Sequence, residues 1–340
     1  LNSVSLRWYT AYRLVVPPRA RCAPYAFCAG VMWLTLTSAA AQNYPTRPIR
    51  LVVPQSAGGS TDLVARPLAQ RVAEAFRGSV VVDNRPGASS IIGAELAARA
   101  PADGYTMIVA TSAVMAIRTT LLKEKTYDAQ KDFIPIALYV KSPFILVTTP
   151  SLPAKTVPEL IAMAKQNPGK ISYASSGAGT TVHLSGAVFA SLAGIDILHV
   201  PYRGSAPAIQ DLLADQVDMI FDNIPGSLAQ MAGGKVWGLG VTSTERSPMA
   251  PDVPTMAEFL PGFDINSWGG ICGPAGLPPA IVDKLNALAK QALDSDEVKK
   301  AYLKNGATPL WKSVPDTVAY RRAEEQRFAP IVKASGSKVD

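Results

Sequence analysis

Leu51-Val-Val-Pro54-Gln-Ser-Ala-Gly58-Gly59-Ser-Thr-Asp62 decides how the rest of this sequence is read. Its first residues close a short apolar run, Ile49 to Val53, of the kind that forms a buried strand. Pro54 stops the run, small residues and a glycine pair follow, and Ser60, Thr61 and Asp62 are residues that cap helices. Beyond them Leu63, Val64, Leu68, Val72 and Phe76 recur at helical spacing. The stretch is strand, small-residue turn and helix N-terminus. N–H groups at a helix start lack intrahelical acceptors, and glycine lets a ligand come close, so such a turn can hold an anion. An ordinary βα connection has the same composition, and from this stretch alone it is the preferred reading over an anion site.

The same pattern recurs downstream. A second strand, Ser79 to Val82, ends in Asp83-Asn-Arg-Pro-Gly87-Ala-Ser-Ser90 before a helix from Ile91 to Ala100. A third, Tyr105 to Ala110, ends in Thr111-Ser112. Three βα units in succession predict a parallel sheet covered by helices, and such sheets bind ligands beyond the carboxyl ends of their strands. Ile134 to Val140 and Phe144 to Thr148 are apolar runs separated by Lys141-Ser142-Pro143, which reads as a crossover into a second lobe. There Lys170 to Ala174 leads into Ser175-Ser176-Gly177-Ala178-Gly179-Thr180-Thr181 and a new helix, so the opening pattern is repeated. Ile197 to Val200, Val217 to Phe221 and Val236 to Thr242 supply further strands, and Pro261 to Gly273 reads as the return crossing. Helices over Pro278 to Leu293, Asp296 to Asn305 and Asp316 to Ala334 are expected on the outside of the first lobe. The lobes are thus expected over residues 42–141 with 266–340, and over 142–265.

The chain has 340 residues, is 48% hydrophobic and carries a formal charge of +7. Four of its basic residues, Arg7, Arg13, Arg19 and Arg21, lie in the first forty, which contain no acidic residue and no Lys; without them the charge falls to +3. Basicity therefore gives little support to nucleic-acid binding. An apolar run from Ala23 to Leu36 followed by Ser38-Ala39-Ala40-Ala41 reads as a secretory signal over 1–41, cleaved between Ala41 and Gln42. The run is too short for a comfortable membrane span. Cys272 is then the lone cysteine of the mature chain and is expected to be a buried small residue.

Catalytic patterns are sparse. The only histidines are His183 and His199, there is no Gly-x-Ser-x-Gly elbow, and the glycine turns lack the Lys of a nucleotide loop. No metal-ligand spacing occurs, so neither metal nor cofactor is called for. His183, in the first turn of a helix, is balanced between contacting a ligand and packing; His199, at an apolar strand end, reads as structural. Asp222 closes an otherwise apolar strand, where it serves either as a polar group at a cleft or as a helix cap that Asn223 could equally supply. Arg203 is the cation near these strand ends that could pair with an anion, and it reads first as a solvated surface residue.

Taken in order, Tyr44-Pro-Thr-Arg-Pro-Ile-Arg-Leu-Val-Val-Pro54, Gly58-Gly59-x-Thr61-Asp62, Asp83-Asn-Arg-Pro-Gly87, Ala100-Pro-Ala-Asp-Gly-Tyr-Thr106, His199-Val-Pro-Tyr202, Phe221-Asp222-Asn223 and Pro251-Asp-Val-Pro-Thr255 resemble the Bug family, the periplasmic receptors of tripartite tricarboxylate transporters. The resemblance implies an α/β fold of the type II periplasmic-binding-protein kind, two lobes each with a mixed sheet and helices on both faces, closing on ligand like a flytrap. It implies a monomeric, non-catalytic receptor for a small carboxylate (a di- or tricarboxylate, an amino acid or an aromatic acid), with integral-membrane permease subunits as partners. Carried onto this chain, the ligand loops are Ser56 to Asp62 in one lobe, with Ser56, Ala57, Gly58, Gly59 and Asp62 at the ligand, and Ser175 to Thr181 in the other, with Ser176, Gly177, Thr180 and, just beyond it, His183. Ser90, Thr111, Ser112 and Asp222 complete the cleft, and Gly58 and Gly59 are expected to present N–H groups to a carboxylate.

The chain departs from that pattern at Gln55-Ser56-Ala57, at Ser89-Ser90-Ile91 and at Ala113-Val114-Met115. Met115 and Ile91 point to a less polar acid or to core packing. Two other readings stand beside the transport receptor: a receptor informing a membrane sensor, and a secreted hydrolase or lyase using Asp222 and His183.

Overall fold

The computed structural model describes residues 44–87, 90–117, 126–202 and 204–334. Pro45–Asp340 form one compact unit distinct from Leu1–Tyr44, and every element below belongs to it. Ala88, Ser89, Arg203 and the expected signal at 1–41 lie outside the described residues.

The first part alternates β1 (Ile49–Val53), α1 (Ser60–Ala75), β2 (Val80–Asn84), α2 (Ile91–Ala98) and β3 (Thr106–Thr111). β1 pairs in parallel with β2 on one side and β3 on the other, the arrangement that three βα units impose. β2 runs two residues further than its apolar pattern, because Val52 and Val53 pair with Asp83 and Asn84. A π-helical turn, Ala113–Ile117, follows β3 directly. The expected helix after Thr111 is thus partly π turn, and residues 118–125 lie outside the described ones.

β4 (Phe133–Thr148) is one strand of 16 residues. The two apolar runs do not separate at Lys141-Ser142-Pro143. From Phe133 to Pro143 β4 pairs antiparallel with β9 (Asn266–Pro274), and from Phe144 to Thr148 with β7 (Met219–Asn223). Pro143 has no N–H to give a ladder, and it is here that the strand changes partners. The crossover is therefore a continuous strand, with β9 returning beside it.

The middle of the chain supplies α3 (Val157–Gln166), β5 (Ser172–Ser175), α4 (Thr181–Ala193), β6 (Leu198–Pro201) and α5 (Ser205–Leu213) before β7, then α6 (Ile224–Ala232) and β8 (Trp237–Val241). α7 (Pro279–Leu293), α8 (Asp296–Lys304), β10 (Thr308–Pro309) and α9 (Val314–Ala334) complete it. The sheet order is β2-β1-β3-β9-β4-β7-β5-β6, with β8 and β10 also on β4. Parallel β5, β6 and β7 lie beyond antiparallel β4, as parallel β1, β2 and β3 lie beyond antiparallel β9. The two mixed sheets are thus joined through β4, the two-lobed α/β fold of periplasmic binding proteins.

Helix packing follows sequence patterning. Thr156 caps α3 by accepting the Glu159 N–H, with Pro158 in the first turn, as the Thr-Val-Pro-Glu pattern predicts. α7 and α8 pack on α1. α9 reaches further than the outside of one lobe: it covers the π-helical turn and β4 and also touches α4. Its Glu324 accepts from the buried Trp268 indole N–H at 2.9 Å, and the Tyr320 ring meets Trp268 edge-on at 5.3 Å. Trp268, Tyr139, Phe189, Phe221 and Phe263 are the large fully buried side chains around the joined strands. Burying each contributes on the order of 2–3 kcal/mol against conformational entropy.

Candidate ligand-binding site

The parallel strands of each sheet end at one edge, and that edge carries the small-residue turns. Leu51 and Val52 stand beside Met107 and Ile108, so the Pro54–Gly59 turn and the Thr111–Ser112 end of β3 lie at the same side. α2 joins them: Gly93 packs so closely on Pro54 that a Cβ there would lie 2.7 Å from the proline ring. In the other sheet Tyr173 and Ala174 stand beside Met219 and Ile220, which sets the Ser175–Thr180 turn next to Asp222. One hydrogen bond ties the two groups together. Ser112 Oγ and Thr181 Oγ1, both buried, are 3.0 Å apart although 69 residues separate them in sequence.

The first turn is built around Asp62, which is 1% exposed. Its Oδ2 accepts from Gly58 N at 2.9 Å and Arg66 Nε at 2.8 Å, and its Oδ1 from Asn84 Nδ2 at 3.0 Å. Burial alone would raise its pKa; the hydrogen bonds from Arg66, Gly58 and Asn84 together outweigh burial and hold the carboxyl below its ordinary value. Asn84 also donates to the Gln55 carbonyl, so the distinctive Gln55-Ser56-Ala57 segment is anchored to β2. Gly58 takes φ +76°, a region open to glycine and strained for other residues. Gly59 N donates to Ser56 O at 3.1 Å. Both glycine N–H groups expected to face a carboxylate therefore have acceptors inside the turn. Donors also remain at the helix start: α1 has no side-chain cap, and its first N–H groups lack intrahelical acceptors. Asp62 is the keystone of the turn, with both oxygens engaged. Arg66 and Asn84 were missed as site residues; the Asp62/Arg66 spacing of four on a helix was the signal for the first.

Ser90 is a non-glycine residue at φ +82°, 8% exposed, at the N-cap of α2. A buried side chain in the left-handed region is strained by about 1 kcal/mol or more. Thr111 is buried and its Oγ1 has no hydrogen-bond partner. Met115 is in the core, its sulfur 3.8 Å from buried Cys272 Sγ, so it packs. Burial pushes the Cys272 thiol up to about 12, which keeps it un-ionised.

In the second turn, Thr180 Oγ1 donates to Gly177 O at 2.7 Å and accepts the His183 N–H, capping α4. Gly177 N donates to Ser175 Oγ at 3.1 Å, and Ser175 Oγ lies 2.7 Å from His199 Nε2. His183 is 2% exposed and its Nδ1 accepts from Gly179 N at 3.2 Å. The two imidazoles stack with centroids 4.0 Å apart, and Tyr173 lies against both. Burial, and for His183 the neighbouring His199, push both pKa values down to about 4. Ser176 follows the buried Ser175. Ser175 and Thr181, the ends of the expected loop, and Tyr173, outside it, bind this turn together.

Asp222 is 5% exposed, and its Oδ1 is buried with no hydrogen-bond partner. Burial raises its pKa to about 6 against the opposing hydrogen bonds from the Asn223 N–H and the Ser205 hydroxyl. A carboxyl with one oxygen unsatisfied at a strand end is costly to bury and marks a position where a donor can be received. Two surface hollows lie elsewhere, one between Arg71, Glu74 and Gln291, the other between Arg50, Asp83 and Arg85; ion pairs link charged side chains along both. Among the described residues no group of His, Cys, Asp and Glu could hold a metal ion.

Residues 64–337 match the tripartite tricarboxylate transporter family receptor. The chain is 36% identical over 301 residues to Protein BugT of Bordetella pertussis, covering 88% of this chain and 92% of that one. Among solved structures it is similar to R. palustris Rpa4515 with adipate, at 37% identity and a TM-score of 0.79, covering 87% of this chain and 99% of that one. It is likewise similar to MatC (Rpa3494) from Rhodopseudomonas palustris with bound malate, at 31% identity and a TM-score of 0.75, covering 85% and 100%. With this fold, and with motifs that run through it in order, the chain belongs to the receptor family of the tripartite tricarboxylate transporters.

Proposed function

We propose that this protein is a periplasmic receptor that takes a small carboxylate between the Gln55–Asp62 and Ser175–Thr181 turns and delivers it to membrane permease subunits. The observation that carries the reading is the pairing of two helix N-termini, those of α1 and α4, at the strand ends of two sheets linked by Ser112 and Thr181. Unpaired N–H groups and the positive end of each helix favour a carboxylate at each turn. A dicarboxylate, as in the relatives bound to adipate and malate, has one group for each. Thr111 Oγ1 and Asp222 Oδ1, buried polar atoms without partners, supply orientation: the hydroxyl donates to an anionic oxygen, and the carboxyl receives a donor. Asp62, Gly58 and Gly59 act by shaping the first turn. Residues 42–141 with 266–340 form one lobe and 142–265 the other, and closure bends β4 and β9 near Lys141 and Ile265. Ligand binding between lobes favours the closed state by its differential affinity. Residues 1–41 direct export and are cleaved from the exported protein.

Calorimetric titration of the purified protein with a panel of organic acids tests the reading. Saturable one-to-one binding of a carboxylate, with compaction in small-angle scattering, is expected. Absence of binding across di-, tri- and aromatic acids, or turnover of an acid ester without binding, would refute it. N-terminal sequencing of periplasmic protein should begin at Gln42.

A further inference from the structure

We infer that His183 and His199 are positioning residues: as neutral imidazoles they hold the glycine N–H groups of the Ser175–Thr180 turn inward, and so set the shape in which the turn receives ligand. The inference about the turn stands on its own geometry; its consequence for affinity rests on the carboxylate reading above.

An N–H can only donate, so the His183 Nδ1 that meets Gly179 N at 3.2 Å is a lone pair. Neutral His183 therefore carries its proton on Nε2. The second histidine acts through one hydroxyl. Ser175 is fully buried, and its Oγ accepts from Gly177 N. The described acceptor for its own proton is His199 Nε2, 2.7 Å away, which is then also a lone pair. The two imidazoles thus pin alternate amides of the turn, Gly179 directly and Gly177 through Ser175. The intervening amides of Ser176 and Ala178 are tied to neither ring.

This arrangement requires both rings to be uncharged. A proton on His183 Nδ1 would set N–H against N–H at Gly179, and a proton on His199 Nε2 would turn the Ser175 oxygen into its acceptor and leave the hydroxyl proton without a described acceptor. The stacked centroids are 4.0 Å apart, so two positive rings would repel, with His183 itself 2% exposed. Among the described residues, the rings of His199 and Tyr173 face His183, and those of His183 and Tyr173 face His199. Among the described residues no carboxylate is coupled to either ring, and burial raises the Tyr173 phenol, keeping it neutral. A phenylalanine at either position would pack as well but would offer no acceptor, which is the difference between filling a core and shaping a turn.

The test uses the ligand-free protein first. In side-chain NMR of histidine-labelled protein, both rings should remain neutral well below pH 6, with His183 protonated on Nε2. Amide exchange at Gly179 should speed up by about tenfold in His183→Phe, the size expected for one lost hydrogen bond. It should stay near wild type in His183→Asn, whose side-chain oxygen can take the place of Nδ1. Calorimetry at pH 7 with adipate and malate as probes should show the same order, with His183→Phe about tenfold weaker and His183→Asn within a few-fold. Rings titrating at an ordinary 6.5, or Gly179 exchange unchanged in folded His183→Phe, would overturn the inference. If that variant does not fold, the wild-type titration and His183→Asn decide it. Exchange and titration as expected with neither probe binding wild type would support the positioning of the turn and count against the carboxylate reading.

Discussion

Replacing Asp222 by Asn should make the protein more stable at neutral pH and leave it unchanged in acid. Burial raises the Asp222 carboxyl from an ordinary 3.8 to about 6, and its Oδ1 has no partner. A carboxyl whose folded pKa lies above its unfolded value stabilises fully below the unfolded pKa and loses that contribution as pH rises through the folded one. At pH 7 the folded protein therefore carries an ionised, under-solvated group at a cost of about 3 kcal/mol, from roughly two pH units at 1.36 kcal/mol each. Asn is nearly isosteric, keeps an acceptor for Asn223 N and Ser205, and has no charge to desolvate. For a body of about 300 residues, unfolding entropy makes each kcal/mol worth roughly 1.6 °C, so Tm should rise by about 5 °C. Urea unfolding from pH 7.5 to 3.5 measures the difference. It should fall from about 3 kcal/mol at pH 7 to near zero below pH 4, where Asp222 is itself protonated. A less stable variant at pH 7, or a gain that does not vary with pH, would refute the reasoning.

The histidines should act with the opposite slope. Both are depressed to about 4 by burial, so their contribution is complete above pH 6.5 and is lost as pH falls from 6.5 through 4. For His183, 2% exposed, this amounts to about 3 kcal/mol; Asp222→Asn, which removes the compensating carboxyl, should expose the loss in the same urea series. Asp62→Ala removes the acceptor of Gly58 N, Arg66 and Asn84. It should cost about 2–3 kcal/mol in urea unfolding, with Arg66 half exposed and its ion pair contributing little of that. Gly93→Ala would place a methyl 2.7 Å from Pro54 Cβ and 3.1 Å from Arg85 O, neither of which can turn aside. A loss of about 1–3 kcal/mol is expected, with weaker acid binding through displacement of the first turn; a neutral substitution would show that α2 is free to shift.

The sequence by itself determined the element order, since periodicity switching between two and 3.6 residues, with small polar turns between, is a local property. It also located the two turns at 55–62 and 175–181, and through its ordered motifs the family. Tertiary structure decided three things. Lys141-Ser142-Pro143 lies within one strand and not between two, because β9 and β7 each satisfy part of its ladder and a single chain cannot show its partners. The N–H groups of Gly58 and Gly59 turn to Asp62 and Ser56, because a buried carboxylate competes for any donor within reach. His183 and His199, 16 residues apart and read singly in the sequence as a possible contact and a packing residue, form one stacked pair beneath a turn. That pairing arises only when β5 aligns with β6 and sets Tyr173 beside His199. Local sequence fixes what a segment can do with its own backbone; which polar atoms are left to meet a ligand depends on partners brought in from elsewhere in the chain.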